Sequence, residues 1–205
     1  MDIQLNFINN SNDTNNSEIA IFQKNGATNF DELAVAWLVI KYCGRGDNHP
    51  FEFPLGMQVG ASDSYGNFTP QLYAQNGQLF AMKQTTSGDQ LQAMGAGTSA
   101  KEVQVLNLLP KSAINASIYK AGKLLATKTS IAPQQKAVFE FKPTLWIGVA
   151  SQVVQGEIMN SAIISSINTE LSLLGIASAN IVMTGGGPGK SATPFSFHLK
   201  NSVMS

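Results

Sequence analysis

The sequence predicts an all-β fold, sandwich-like and made of internally duplicated β units. Three observations carry this. Short runs of alternating apolar and polar residues recur along the 205 residues, punctuated by Gly, Pro, Asn and Asp. One stretch alone, residues 157–174, has a long helical spacing of apolar residues. And a series of short motifs in the first half returns, in the same order, in the second.

The elements follow in order. Residues 3–8 alternate, and Ile19-Ala20-Ile21-Phe22 follows an Asn-rich turn. Residues 34–42 are nearly all apolar, as a strand buried on both faces would be. Phe51-Glu52-Phe53, Met57-Gln58-Val59, Val103-Gln104-Val105, Phe139-Glu140-Phe141 and Phe195-Ser196-Phe197 alternate again, which puts one set of side chains in a core and the other in water. Two segments admit two readings. Residues 31–42 could be a helix capped by Asn29 or Asp31, but β-branched Val35, Val39 and Ile40 favour a strand. In 157–174, Met159, Ile163, Ile167, Leu171 and Leu174 recur at helical spacing, while the Ile and Ser content equally permits a strand pair.

The duplication is read from four matches. Phe51-Glu52-Phe53-Pro54, running to Ala61-Ser62, matches Phe139-Glu140-Phe141-Lys142-Pro143, running to Ala150-Ser151, with one residue inserted. Upstream, Ile21-Phe22-Gln23 matches Ile118-Tyr119-Lys120, and Leu5-Asn6-Phe7 matches Val105-Leu106-Asn107. Downstream of each comes a Gly-rich turn and a last alternating strand. The repeats are residues 1–101 and 102–205, packed separately or as one domain. The segment 27–50 carries an insertion in the first copy.

Composition excludes several function classes. The formal net charge is zero and the charged fraction is 13%, about half the usual quarter, so 17 Asn and 14 Gln supply much of the polar surface. Nucleic-acid binding needs clustered Lys and Arg, which are missing. No apolar run is long enough to span a bilayer. Residues 1–7 lack the basic region and apolar core of an export signal, so the expected location is the cytoplasm, or outside by a leaderless route. Cys43 is the only cysteine, so no intrachain disulfide can form.

Several motifs invite chemistry and are better explained without it. Thr184-Gly185-Gly186-Gly187-Pro188-Gly189-Lys190-Ser191 nearly spells a phosphate-binding loop, but Thr stands at the first glycine and a strand, not a helix, follows. His49 and His198 lack metal-ligand spacing. Cys43 has only Arg45 and His49 near it in sequence, and reads as an inert half-buried thiol. Arg45-Gly46-Asp47 is the tripeptide that integrins read, but also an ordinary turn. Asp13-Thr14-Asn15-Asn16-Ser17 begins like a calcium loop without its later ligands. The suggestive segment is Asp63-Ser64-Tyr65-Gly66-Asn67-Phe68, where Asp63 and Asn67 could bridge sugar hydroxyls and Tyr65 and Phe68 could stack on a sugar ring.

Asn9-Asn10-Ser11, Ile21-Phe22-Gln23, Leu33-Ala34-Val35-Ala36-Trp37 and Phe51-Glu52-Phe53 resemble the first half of the rhizosphere-induced RhiA-type bacterial proteins, over about the first quarter of the chain. The resemblance implies a bacterial protein made in response to environment or population density, and carries no catalytic residues.

The functional expectation is a non-enzymatic protein without cofactor or metal that self-associates into a homo-oligomer, because near-zero net charge promotes association. Residues 103–109 and 114–119 contain no charge to guard an exposed strand edge, so each must be central in its sheet or covered by another copy. The alternative is a carbohydrate-binding module using the 63–68 loop.

Overall fold

A computed structural model describes residues 2–27 and 34–205. The helix start anticipated at Asn29 or Asp31, and Leu33, lie outside these residues. The first half contributes β1 (Ile3–Asn9), β2 (Ile19–Phe22), β3 (Leu38–Ile40), β4 (Asn48–Phe53), β5 (Met57–Asp63), β6 (Leu72–Ala74), β7 (Gln78–Thr85) and β8 (Gly88–Ala96). The second contributes β9 (Val103–Asn107), β10 (Ile114–Lys120), β11 (Lys123–Ile131), β12 (Lys136–Phe139), β13 (Thr144–Val149), β14 (Thr169–Ser172), β15 (Ile176–Gly186) and β16 (Thr193–Met204). One short helix, α1 (Ser161–Ser166), precedes β14. The all-β, sandwich-like expectation holds.

The strands form four sheets of four, in the orders β16-β15-β1-β4, β14-β13-β2-β3, β12-β9-β7-β8 and β11-β10-β5-β6. Two compact units result. Unit 1 comprises Met1–Gln23, Val35–Leu55 and Pro143–Ser205, and unit 2 comprises Lys24–Ala34 and Gly56–Lys142. Each unit therefore holds two sheets whose inner faces make its core. In unit 1 the core includes Phe7, Ile21, Phe22, Leu145, Ile147, Ile181 and Met183, none more than 1% exposed. Trp37 lies edge-on to Phe53 there, with ring centroids 5.4 Å apart. In unit 2 it includes Val59, Phe80, Met82, Val105, Ile114, Ile118 and Phe139.

The two units are wired alike. In unit 1, β15 pairs antiparallel with β16 and parallel with β1, which pairs antiparallel with β4. In unit 2, β7 pairs antiparallel with β8 and parallel with β9, which pairs antiparallel with β12. The remaining two sheets are both fully antiparallel. Thus β1–β4 correspond to β9–β12, and β13–β16 to β5–β8. Unit 1 joins the front of the first repeat to the back of the second, and unit 2 joins the two other pieces. In every sheet the central pair of strands comes from different repeats.

Register fixes the correspondence. Asn9 lies opposite Met183 and Asn107 opposite Met82, while Phe51 lies opposite Leu5 and Phe139 opposite Val103. Phe51 therefore answers to Phe139, as the motifs predicted, and Ile21 to Ile118. Leu5-Asn6-Phe7 answers to Val103-Gln104-Val105, two residues upstream of the match expected from sequence. A two-residue shift keeps the strand period, so composition alone cannot detect it. Gly60 and Gly148 also correspond without the expected insertion, since they face Ser117 and Ala20 on matching strands.

The closest identity is a pair of buried amides. Asn9 Nδ2 donates to the Cys43 carbonyl (2.8 Å), and its Oδ1 accepts from the Ser11 N–H and Oγ. Asn107 Nδ2 donates to the Ile131 carbonyl (2.8 Å) and to Ser112 (3.0 Å), and its Oδ1 accepts from the Leu109 N–H. Even the backbone repeats: the Asn9 N–H donates to Asp47 and its carbonyl accepts from Gly46, as Asn107 does with Gln135 and Gln134. Both side chains are buried at the end of a strand, where each supplies the donors and the acceptor that bond the backbone of the turn that follows and of a neighbouring segment.

Two expectations need correction. The apolar run 34–42 is not one strand: β3 covers only Leu38–Ile40, while Ala36 exchanges hydrogen bonds with Glu157 and Gly156. Residues 157–174 divide between helix and strand. Asn160 Oδ1 caps α1 through the Ile163 N–H (2.9 Å), and Thr169–Ser172 then joins β13 as β14. Ile and Ser form helix only moderately, so pairing to β13 captures the rest. The uncharged residues 103–107 and 114–119 lie in β9 and β10, which are inner strands, and this removes their lack of charge as a reason for oligomerisation.

Candidate functional site

Asp63, Tyr65, Asn67 and Phe68 all lie in unit 2, at and just beyond the end of β5. The sequence closes this loop on itself. Asp63 Oδ1 accepts from the N–H of Tyr65 and of Asn67, both at 2.9 Å, and Oδ2 accepts from Asn67 Nδ2 at 2.7 Å. Gly66 supplies the left-handed backbone (φ +86°) that the turn requires. The Asn67 amide, and after it the backbone N–H groups, hold the Asp63 carboxyl below its usual 3.8. Because the ionised form is the one bonded, the brace persists where an ordinary aspartate has begun to protonate, and is lost only below that range.

The carboxylate and amide thus stiffen the loop, and the rings project from it. Tyr65 is 86% exposed and Phe68 74% exposed. Behind them the loop is zipped to β5, where the Thr69 N–H donates to the Ala61 carbonyl (2.8 Å) and Thr69 Oγ1 accepts from the Ala61 N–H (3.0 Å). Rigid, solvent-facing aromatic rings lose little conformational entropy when something packs on them.

The loop continues into a sheet face that sequence reading missed. Gly56, Gln58, Gly60 and Ser62 alternate along one side of the β5 segment. Gln58 faces Tyr73 on β6 and Tyr119 on β10. Gly56, Gln58, Tyr73, Tyr119 and Ala121 border a shallow hollow of about 220 Å³. The available signal was the Gly-x-Gln-x-Gly alternation; the two tyrosines are too far apart in sequence to be joined without the sheet.

The other motifs fall elsewhere. Asn12, Asp13, Thr14, Arg45, Gly186, Gly187, Pro188 and Ser191 come together in unit 1 around a hollow of about 370 Å³. Asp13 is committed there to the N–H groups of Asn15 and Ser17, and Asp47 to that of Gly44. Lys190 and Ser191 sit in a single 3₁₀ turn followed by β16, so no helix amino terminus faces a phosphate. Cys43 is buried, and its thiol is pushed up first by that burial and then by the charge of Asp47. His198 is exposed on β16. Among the described residues there is no metal-binding cluster and no helix long and apolar enough to cross a membrane. Unit 1 also holds an aliphatic groove of about 830 Å³, walled by Leu55, Pro143, Leu174 and Ile176. No protein-family model, curated protein or solved structure matches the chain, so its own residues must carry the functional reading.

Proposed function

We propose that this protein is a non-enzymatic carbohydrate-binding module that presents the 63–68 loop of unit 2. The observation that carries this is the pair of rings, Tyr65 and Phe68, held out 86% and 74% exposed by a loop whose polar side chains are spent on bracing it. A sugar's apolar C–H face stacks on such rings, while its hydroxyls meet uncharged amide and hydroxyl neighbours. Tyr65→Ala and Phe68→Ala are each expected to weaken retention on an immobilised glycan about three- to tenfold, the worth of one aromatic contact. Both residues are exposed, so circular dichroism should be unchanged. Binding unaffected by the double variant would refute the loop's role.

Self-association is the second reading, favoured by one strand. An edge strand invites pairing unless charge, Pro, a bulge or shortness guards it. β4 carries Pro50 and Glu52, β11 Lys123 and Lys128, β12 Lys136, and β16 Pro194, His198 and Lys200, while β3, β6 and β14 have at most four residues. β8 is an edge of nine residues, and after Asp89 it has no charge: its pairing with β7 is irregular at Met94, but Gln90-Leu91-Gln92-Ala93 forms a regular, uncharged edge. Two copies pairing β8 to β8 would form a closed dimer. Sedimentation at micromolar concentration should give twice the 21.9 kDa chain mass, and Gln92→Lys should restore the monomer. A monomer at every concentration would exclude this reading.

A further inference from the structure

We infer that the outer face of the β11-β10-β5-β6 sheet is a platform for a linear, neutral glycan, lying along β5 from Tyr73 and Tyr119 toward Phe68. This rests on the carbohydrate-binding reading and adds the ligand class and the surface. Gln58 stands between the two tyrosines across the sheet. At about 4.8 Å per strand, Tyr73 and Tyr119 are roughly 10 Å apart. A Cβ at Gly56 would lie 3.4 Å from Tyr73 Cε2, and one at Gly60 would lie 3.3 Å from Tyr119 Cε2. The outer parts of both rings therefore lie close over the glycines, in space that a side chain there would occupy. The missing side chains are what make the surface flat.

The groups around the rings select the ligand. Gln58, Ser117, Thr127 and Asn115 offer amides and hydroxyls, with Ser117 and Thr127 in mutual contact at 3.0 Å and Asn115 on Ser62 at 3.3 Å. None of these four is charged, and the Asp63 carboxylate at the far end is bonded to the Tyr65 and Asn67 N–H groups and the Asn67 amide, so the four offer a polyol donors and acceptors rather than a counter-charge. From Gln58 to Asp63 the strand extends about 17 Å, so a ligand touching tyrosines and loop together must span several sugar units.

The duplication supplies an internal comparison. In unit 1, Trp146 stands at the position of Gln58, Phe22 at that of Tyr119 and Gly148 at that of Gly60. There the longer β13–β14 connection folds back, and a Cβ at Gly148 would meet Ile167 Cγ1 and Cγ2 at 3.0 Å. Phe22 is fully buried, and Trp146 stacks on it at 6.4 Å and 25°. One copy closes this face with its own chain. The other has a short connection in that place, leaves Tyr73 63% exposed where the closed copy has Glu170, and carries Gln58 and Ser117 where the closed copy has Trp146 and Ala20.

Calorimetry of the full chain with linear gluco-, manno- and xylo-oligosaccharides, from disaccharide to hexasaccharide, tests this. Affinity for one series should rise with length, and Tyr73→Ala should remove about tenfold for the hexasaccharide while leaving the disaccharide little changed. Gln58→Lys, a surface change that keeps the fold, should also weaken the long ligand. If glycan binding is lost on Tyr65→Ala with Phe68→Ala but is independent of length, Tyr73 and Gln58, the platform is wrong and the loop reading stands. Preference for a charged glycan also overturns the platform. No binding by any neutral or charged glycan overturns both.

Discussion

Asn107→Ala is expected to lower the stability of the folded chain by about 3 kcal/mol, and Asn9→Ala by a similar amount. Each side chain is buried, Asn107 at 0% and Asn9 at 2% exposure. Removing the Asn107 amide strands the carbonyl of Ile131 and the N–H of Leu109, both buried, and also loses the bond to the Ser112 carbonyl. An ordinary hydrogen bond contributes about 1 kcal/mol net, but an orphaned buried group costs about 1–3 kcal/mol, and the orphan term dominates. For a chain of this size that corresponds to a fall in Tm of roughly 6–12 °C. The exposed Asn76→Ala is the control, expected within about 0.5 kcal/mol of the parent. The partners of Asn9 and Asn107 share no residue, so the two costs should add in the double variant. Equal midpoints in urea for Asn107→Ala and Asn76→Ala would refute this account.

The legible part of the fold was the part written in local period. Alternation at residues 3–8 and in Phe51-Glu52-Phe53 placed β1 and β4, and Ile19–Phe22 was a strand as read. The duplication was visible because the core side of a strand is chemically constrained, so Phe51 and Phe139 kept their identity. What local pattern could not reveal is which strand each one joins. β9, and β10 up to Tyr119, are as uncharged as an oligomer seam would be, yet they are inner strands, and charge scarcity has the same appearance in both cases. The 63–68 loop was found because its ring and amide residues are adjacent in sequence. Tyr73 and Tyr119 were missed because only pairing on either side of Gln58 makes them neighbours.

A chain cut once between Ser99 and Ala100 is expected to remain a single particle. This link between the repeats is a surface turn, with Ala100 and Lys101 exposed, and a protease site placed there changes no strand. Simple duplication, with each repeat folding on itself, would release two half-sized bodies on cleavage. Here every sheet is centred on a pair from different repeats: β1 with β15, β2 with β13, β5 with β10, and β7 with β9. The β1–β15 register alone runs from Gln4 opposite Ser178 to Asn9 opposite Met183. Separating the pieces would break all four pairings and expose both cores, including Phe7, Ile21, Val59 and Phe80, at about 1.5–3 kcal/mol for each large apolar side chain. The cut itself costs only the entropy of a loop no longer closed, which grows slowly with length. The nicked protein should co-elute at the full 21.9 kDa, keep its circular dichroism, and yield separate fragments only in denaturant, with a midpoint that now depends on concentration. Two fragments eluting independently in native buffer, each with strand structure of its own, would show that the repeats do not exchange halves.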